Sequence, residues 1–245
     1  MKLSFAGVFA DAGALWRSER MLLLRIAGVF YVLPVLGIVL LLVGSGFPPD
    51  VPPEQVRDAI GRFYSDNLLP ILFANLASDF GTFAVLNLFL QGGGRTLGEV
   101  LMLTLRRFLP FLVLDLLAGF VFGLGMSLFV LPGLFAFART WLAAPAFAAS
   151  PEAGLIEAFR QGWRRSGGVA WLVLLGVVAV TMLGTLGAVV AASAVTGTLA
   201  AIAGGNQIVA SIGYLAVAII GGLAWTALTV LRVAAYRATA ASTGM

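Results

Sequence analysis

The chain has no cysteine and no histidine, and only 11% of its 245 residues are charged. The first absence excludes disulfides and thiolate metal sites. The second excludes imidazole ligands, Ser-His-Asp and Cys-His nucleophile systems and histidine acid–base chemistry. Charge this scarce also excludes a water-soluble domain, in which about a quarter of the residues are charged. What fills the chain instead is 60% hydrophobic residues with a mean hydropathy of +1.03, the composition of an integral membrane protein. The sequence holds no Gly-Lys-Ser/Thr phosphate loop, no His-Glu-x-x-His helix and no aqueous carboxylate pair placed for glycoside hydrolysis. No catalytic residue, metal or cofactor is therefore expected. The net charge of +4 points to membrane orientation and anionic lipid rather than to nucleic acid.

A bilayer core of roughly 30 Å takes about 20 apolar helical residues. Six runs of that kind stand between charged or Gly/Pro-rich breaks: Leu22 to Val43, Leu68 to Gln91, Phe108 to Leu131, Gly133 to Ala149, Val169 to Thr196 and Ile208 to Leu231. The first ends at Gly44-Ser45-Gly46 with Pro48-Pro49 beyond, and the second at the flexible Gly92-Gly93-Gly94 loop. Spans 3 and 4 are separated only by Pro132-Gly133, which predicts a hairpin turn there. Pro34 and Pro145 fall inside spans 1 and 4, where a missing N–H predicts kinks.

Basic residues set the orientation. Lys2, Arg17, Arg20, Arg25, Arg95, Arg106, Arg107, Arg160, Arg164, Arg165, Arg232 and Arg237 all fall on one side of the six spans, and Arg57 and Arg62 on the other. The positive-inside rule makes both termini cytoplasmic. Asp11, Arg17, Glu19 and Arg20 interrupt the start of the chain too early for a cleavable signal. Read as a helix, that start places Phe5, Val8, Phe9, Ala12 and Trp16 on one face. The design recurs with Leu97, Val100, Leu101 and Phe108 before span 3, and with Leu155, Ala158, Phe159 and Trp163 before span 5, where Ser150 is the expected N-cap. Val56, Ile60, Phe63 and Tyr64 suggest a further short amphipathic helix on the other side.

The expected fold is thus all-α: one polytopic domain, residues 1–245, of six transmembrane helices with three cytoplasmic amphipathic helices. It divides into three units of approximately 1–91, 92–149 and 150–245. Arg17, Arg20, Arg106, Arg107, Arg160, Arg164 and Arg165 are the expected contacts to anionic head groups of the cytoplasmic leaflet. Small-residue faces, such as Ala118, Gly119 and Gly123 on span 3 or Thr181, Gly184, Thr185 and Ala188 on span 5, suit close packing within one bundle, between copies of the chain or against another membrane protein.

Charges inside hydrocarbon are costly and so mark candidate sites. Counted at 1.5 Å per residue from the cytoplasmic ends, Asp79 lies roughly 18 Å deep, Asp115 roughly 11 Å and Arg139 roughly 15 Å. Their overlap in depth predicts a buried cluster of Arg139 with one or both aspartates. Asn75, Ser78, Asp79 and Thr82 follow at helical spacing as one polar stripe that cannot face lipid. The bland alternative is a structural ion pair that fixes helix register. An aspartyl protease built on Asp79 and Asp115 is disfavoured because the flanking tyrosine and glycine signatures are missing. Arg25 and Arg232 sit within about a turn of the cytoplasmic boundary, where snorkelling accounts for them.

The stretch Leu131-Pro132-Gly133-Leu134-Phe135-Ala136-Phe137-Ala138-Arg139, followed by Ala144-Pro145, Glu152, Ala158-Phe159, Gly168 and Trp171, resembles bacterial six-span membrane proteins of the glycerophosphoryl diester phosphodiesterase membrane-domain type and their stand-alone relatives. Relatives usually carry a Ser followed by Lys-Gly in the helix before span 5. Here that region reads Arg160-Gln161-Gly162-Trp163-Arg164-Arg165-Ser166. The resemblance implies a non-catalytic module of the bacterial inner membrane concerned with lipid or envelope homeostasis, and makes Arg139 a shared structural element. The expected function is to bind or transport a lipid-like or anionic amphiphile. The alternative is a scaffold that anchors a partner or organises lipids.

Overall fold

The computed structural model describes residues 3–45, 52–92 and 94–243; Lys2, Gly46, Pro48, Pro49 and Gly93 lie outside these described residues. Among them there are helices and no strands, as a chain in lipid requires when each N–H and C=O must find its partner within the protein. In order the helices are α1 (Phe5–Ser18), α2 (Arg20–Ala27), a π-helical turn (Gly28–Val32), α3 (Leu33–Gly44), α4 (Pro53–Asp66) and α5 (Leu68–Leu90). Then come α6 (Leu97–Leu128), α7 (Val130–Thr140), α8 (Ala143–Ala149), α9 (Leu155–Arg165), α10 (Ala170–Ile202) and α11 (Gln207–Thr243).

Six helical segments are long and apolar enough to cross a membrane: Arg20–Gly44, Leu68–Leu90, Leu97–Leu128, Val130–Ala149, Ala170–Ile202 and Gln207–Ala240. This is the architecture of a multi-pass membrane protein. Four boundaries differ from the expectation. α9 starts at Leu155, with Gly154 rather than Ser150 as its N-cap. α6 runs without a break from the Thr96/Glu99 capping box through Arg106, Arg107 and Pro110 to Leu128, so the segment before span 3 is the start of the span helix itself. The hairpin turn falls at Phe129, which is extended, and Pro132 sits in the first turn of α7, where its missing N–H would have had no helical partner. α11 continues well past Leu231, which places Arg232 inside a helix rather than at its end.

The packed core lies at the end of the bundle where α5 finishes and α6 begins, called here the basic end. Every residue of α5 from Gly81 to Phe89 is buried, as are α8 from Ala143 to Ala148 and α11 from Val233 to Tyr236. α1 joins this core with Val8, Ala12 and Leu15, so its apolar face rests on protein, while Phe5 stays 41% exposed. Polar groups tie the helix ends together there. Gln91 donates to the carbonyl of Ala148, Arg107 Nη2 to that of Phe147 at 3.3 Å, and Arg237 Nη2 to that of Phe89 at 2.7 Å. Each satisfies a carbonyl that a helix C-terminus leaves without a partner, and a cation there also suits the helix dipole. Toward the other end the helices present large apolar side chains outward, among them Leu116, Leu128, Leu183 and Ile202.

Two prolines shape the site. Pro34 has no N–H for the carbonyl of Phe30, and the chain answers with the π turn at Gly28–Val32. That turn is held by Tyr31, a fully buried side chain whose hydroxyl donates to Thr82 Oγ1 at 3.2 Å and meets Thr229 Oγ1 at 3.4 Å. Tyr31→Phe is expected to destabilise the fold by about 1–2 kcal/mol, read as a lower unfolding midpoint of the protein in detergent. Pro145 likewise has no N–H for the carbonyl of Trp141, and the helix of span 4 breaks at Trp141 and Leu142 between α7 and α8.

The break is closed by two other helices. α9 presses Gly162 directly on the backbone of Leu142 and Ala143, and Ser166 Oγ donates to the carbonyl of Arg139 at 2.8 Å. Gly168, with φ at +60°, then turns the chain into α10, a conformation that favours glycine.

Candidate functional site

α5, α6, α7, α10 and α11 surround a cavity of about 460 Å³. Since α5, α7 and α11 run toward the basic end and α6 and α10 away from it, depth can be read from position in the chain. Thr82, Asp115, Thr140, Thr229 and Arg232 form the wall nearer the basic end, with Asp79 one helical turn beyond Thr82. Phe122, Phe137, Met182 and Trp225 form the opposite, apolar part. The cavity is therefore amphipathic along its length. It is partly open, and Trp225 at its apolar end is 47% exposed.

Arg232 is the residue that joins fold and site. Its Nε donates to the Trp141 carbonyl that Pro145 leaves without a helical donor. Among the described residues the rest of the guanidinium finds no hydrogen-bond acceptor, and Arg232 lines the cavity within electrostatic reach of Asp79 and Asp115. Among the described residues neither carboxylate accepts a hydrogen bond, and no Arg–Asp pair of the three approaches to 4 Å. Three ionisable groups thus share one cavity without contacting each other. In a low-dielectric interior such groups are costly unless water or a ligand reaches them.

Of the residues singled out in the sequence, the fold brings Asp79, Thr82 and Asp115 together. Asn75 is exposed further along α5, and Ser78 donates to the carbonyl of Ala74 on its own helix at 3.0 Å. Arg139 does not line the cavity. Its guanidinium lies over Trp163 at 4.7 Å and Phe135 at 5.6 Å, on the side of α7 that faces α9, so the cation beside the aspartates is Arg232.

Among the expected head-group arginines, Arg17, Arg20, Arg106, Arg160 and Arg164 are exposed, and Arg160 and Arg164 meet Glu157 at 3.9 and 3.6 Å. Such exposed pairs contribute little to stability. Arg107 and Arg165 turn inward instead, stacking over Phe147 at 4.2 Å and Tyr236 at 4.3 Å.

Sequence reasoning missed Arg232, Tyr31 and Thr229. Two signals pointed to Arg232: the apolar Val233-Ala234-Ala235 that continues past it, and the carbonyl four residues before Pro145, which needs a donor from elsewhere. No protein-family model matches the chain, and neither does any curated protein or solved structure.

Proposed function

We propose that this chain is a non-catalytic membrane protein that binds or transports a lipid-like amphiphile, held in the cavity with its polar head toward Arg232 and its apolar part between Phe122, Met182 and Trp225. The observation that carries this reading is the cavity's own polarity: charged, unpaired groups at one end and aromatic and aliphatic side chains at the other. Both termini are assigned to the cytoplasm, because the basic residues gather at that end. There Arg17, Arg20, Arg106, Arg160 and Arg164 are exposed to meet anionic head groups. The resemblance of the Pro132-Gly133 to Arg139 stretch to stand-alone six-span bacterial proteins supports the inner membrane as the location and lipid or envelope homeostasis as the setting.

Gly119 offers a direct test. It lines the cavity, and a Cβ added there meets nothing within 4 Å, so a side chain can leave the backbone there and Gly119→Phe takes up cavity space. In phosphatidylethanolamine/phosphatidylglycerol vesicles containing a lipid with a photoactivatable acyl chain, crosslinks are expected on peptides holding Phe122, Met182 and Trp225. Gly119→Phe is expected to lower them about tenfold while labelling of the outward-facing Leu186 stays constant. Equal labelling of Phe122 and Trp225 in both proteins would count against the cavity as the binding place.

A further inference from the structure

We infer that the head group held in this cavity carries an ammonium. The inference rests on the proposed binding of an amphiphile and concerns its chemistry. The argument is a count of charges and open valences. Asp79 and Asp115 contribute two carboxylates with no protein donor, against a single guanidinium whose Nε is committed to Trp141. Arg139, the arginine within span 4, is turned away against Trp163. An anionic head would bring its charge up to two carboxyl groups that have no donor, with one guanidinium to receive it. An ammonium has three N–H donors and meets both carboxylates. The remaining Nη groups of Arg232 are then free for a phosphate on the same head, as in a phosphoethanolamine lipid.

The test is competition for the cavity crosslink in the full chain, in detergent, by three probes: dioleoyl phosphatidylethanolamine, dioleoyl phosphatidylglycerol and dodecylamine. The ethanolamine lipid is expected to displace the label from Phe122 and Trp225 at a concentration at least about tenfold below that of the glycerol lipid, the difference one charge-assisted hydrogen bond makes. Asp115→Asn is close in shape and breaks no hydrogen bond. It is expected to weaken the ethanolamine lipid and dodecylamine about tenfold and to strengthen the glycerol lipid, whose negative head then meets one carboxylate fewer. Where the ethanolamine lipid outcompetes dodecylamine and Arg232→Lys removes that advantage, the phosphate is read by Arg232 and the ligand is a zwitterionic lipid. Equal potency of the two assigns the site to amphipathic amines at large. Phosphatidylglycerol competing as well as or better than the ethanolamine lipid, with no effect of Asp115→Asn, would overturn the ammonium assignment. Absence of any cavity crosslink before competitor is added would instead sink the amphiphile reading itself.

Discussion

Arg232→Gln is expected to lower the stability of the protein by about 3 kcal/mol or more, the largest loss from any single side chain at the site. Two costs add. The Trp141 carbonyl, which Pro145 cannot serve, loses the Nε donor that reaches it from α11. A buried carbonyl left unsatisfied costs about 1–3 kcal/mol. Asp79 and Asp115 also lose Arg232, the one cation among the described residues that line their cavity. Uncompensated charge in such a place is as damaging as breaking a buried pair. The two costs separate experimentally. Adding Asp115→Asn to Arg232→Gln removes one of the stranded carboxylates and is expected to restore about 1 kcal/mol without repairing the break. Arg232→Lys keeps the charge, and the expected loss is intermediate. Unfolding midpoints in detergent, followed by tryptophan fluorescence, check all three. Wild-type stability of Arg232→Gln would mean that neither the break nor the aspartates depend on this side chain.

Gly162→Ala is expected to have an effect of similar size from the opposite cause, too much matter in place of too little. A Cβ on Gly162 would lie 2.6 Å from Ala143 Cα and 2.8 Å from the Leu142 carbonyl carbon, and closer still to Ala143 N. These are backbone atoms at the span 4 break, where Leu142 and the α8 residues Ala143 to Ala148 are all buried, and they cannot swing aside as a side chain would. α9 must lift away, and with it goes the Ser166 bond to the Arg139 carbonyl. Overpacking of this kind costs about 3 kcal/mol. The expected signs are a lower unfolding midpoint and faster proteolytic cutting between α8 and α9. Gly154→Ala, at the N-cap of α9 with nothing within 4 Å, is the matched control for an added methyl and is expected to cost less than about 1 kcal/mol, the loss of a preferred capping residue.

The membrane class and the six apolar segments were legible because they depend on composition and run length, which neighbouring helices do not alter. The polar stripe of span 2 was legible in part. Thr82 and Asp79 reach the cavity, but Asn75 lies too far along α5 to share it. The partner of the aspartates was misread because helical depth fixes height in the bundle and says nothing of azimuth. Arg139 has a suitable height, yet α7 presents it to Trp163, while α11 brings Arg232 round to the aspartates from the other side. Arg232 was read as a snorkelling residue because span 6 was ended at Leu231, the last residue before a charge. The helix itself goes on through Val233, Ala234 and Ala235, which are fully buried. Likewise Pro132-Gly133 has the composition of a turn. A proline in the first helical turn is equally compatible with that sequence, and the extended residue proves to be Phe129.

The measurement that bears most directly on the central claim is a cryo-electron microscopy map of the full chain in nanodiscs of phosphatidylethanolamine and phosphatidylglycerol, read at the cavity between α5, α6 and α11. The account predicts elongated density that starts beside Asp115 and Arg232 and leaves between Phe122 and Trp225, with Arg232 still bonded to the Trp141 carbonyl. A closed, protein-filled core in which Arg232 is directly paired with Asp79 or Asp115, with no space for an amphiphile, would contradict it.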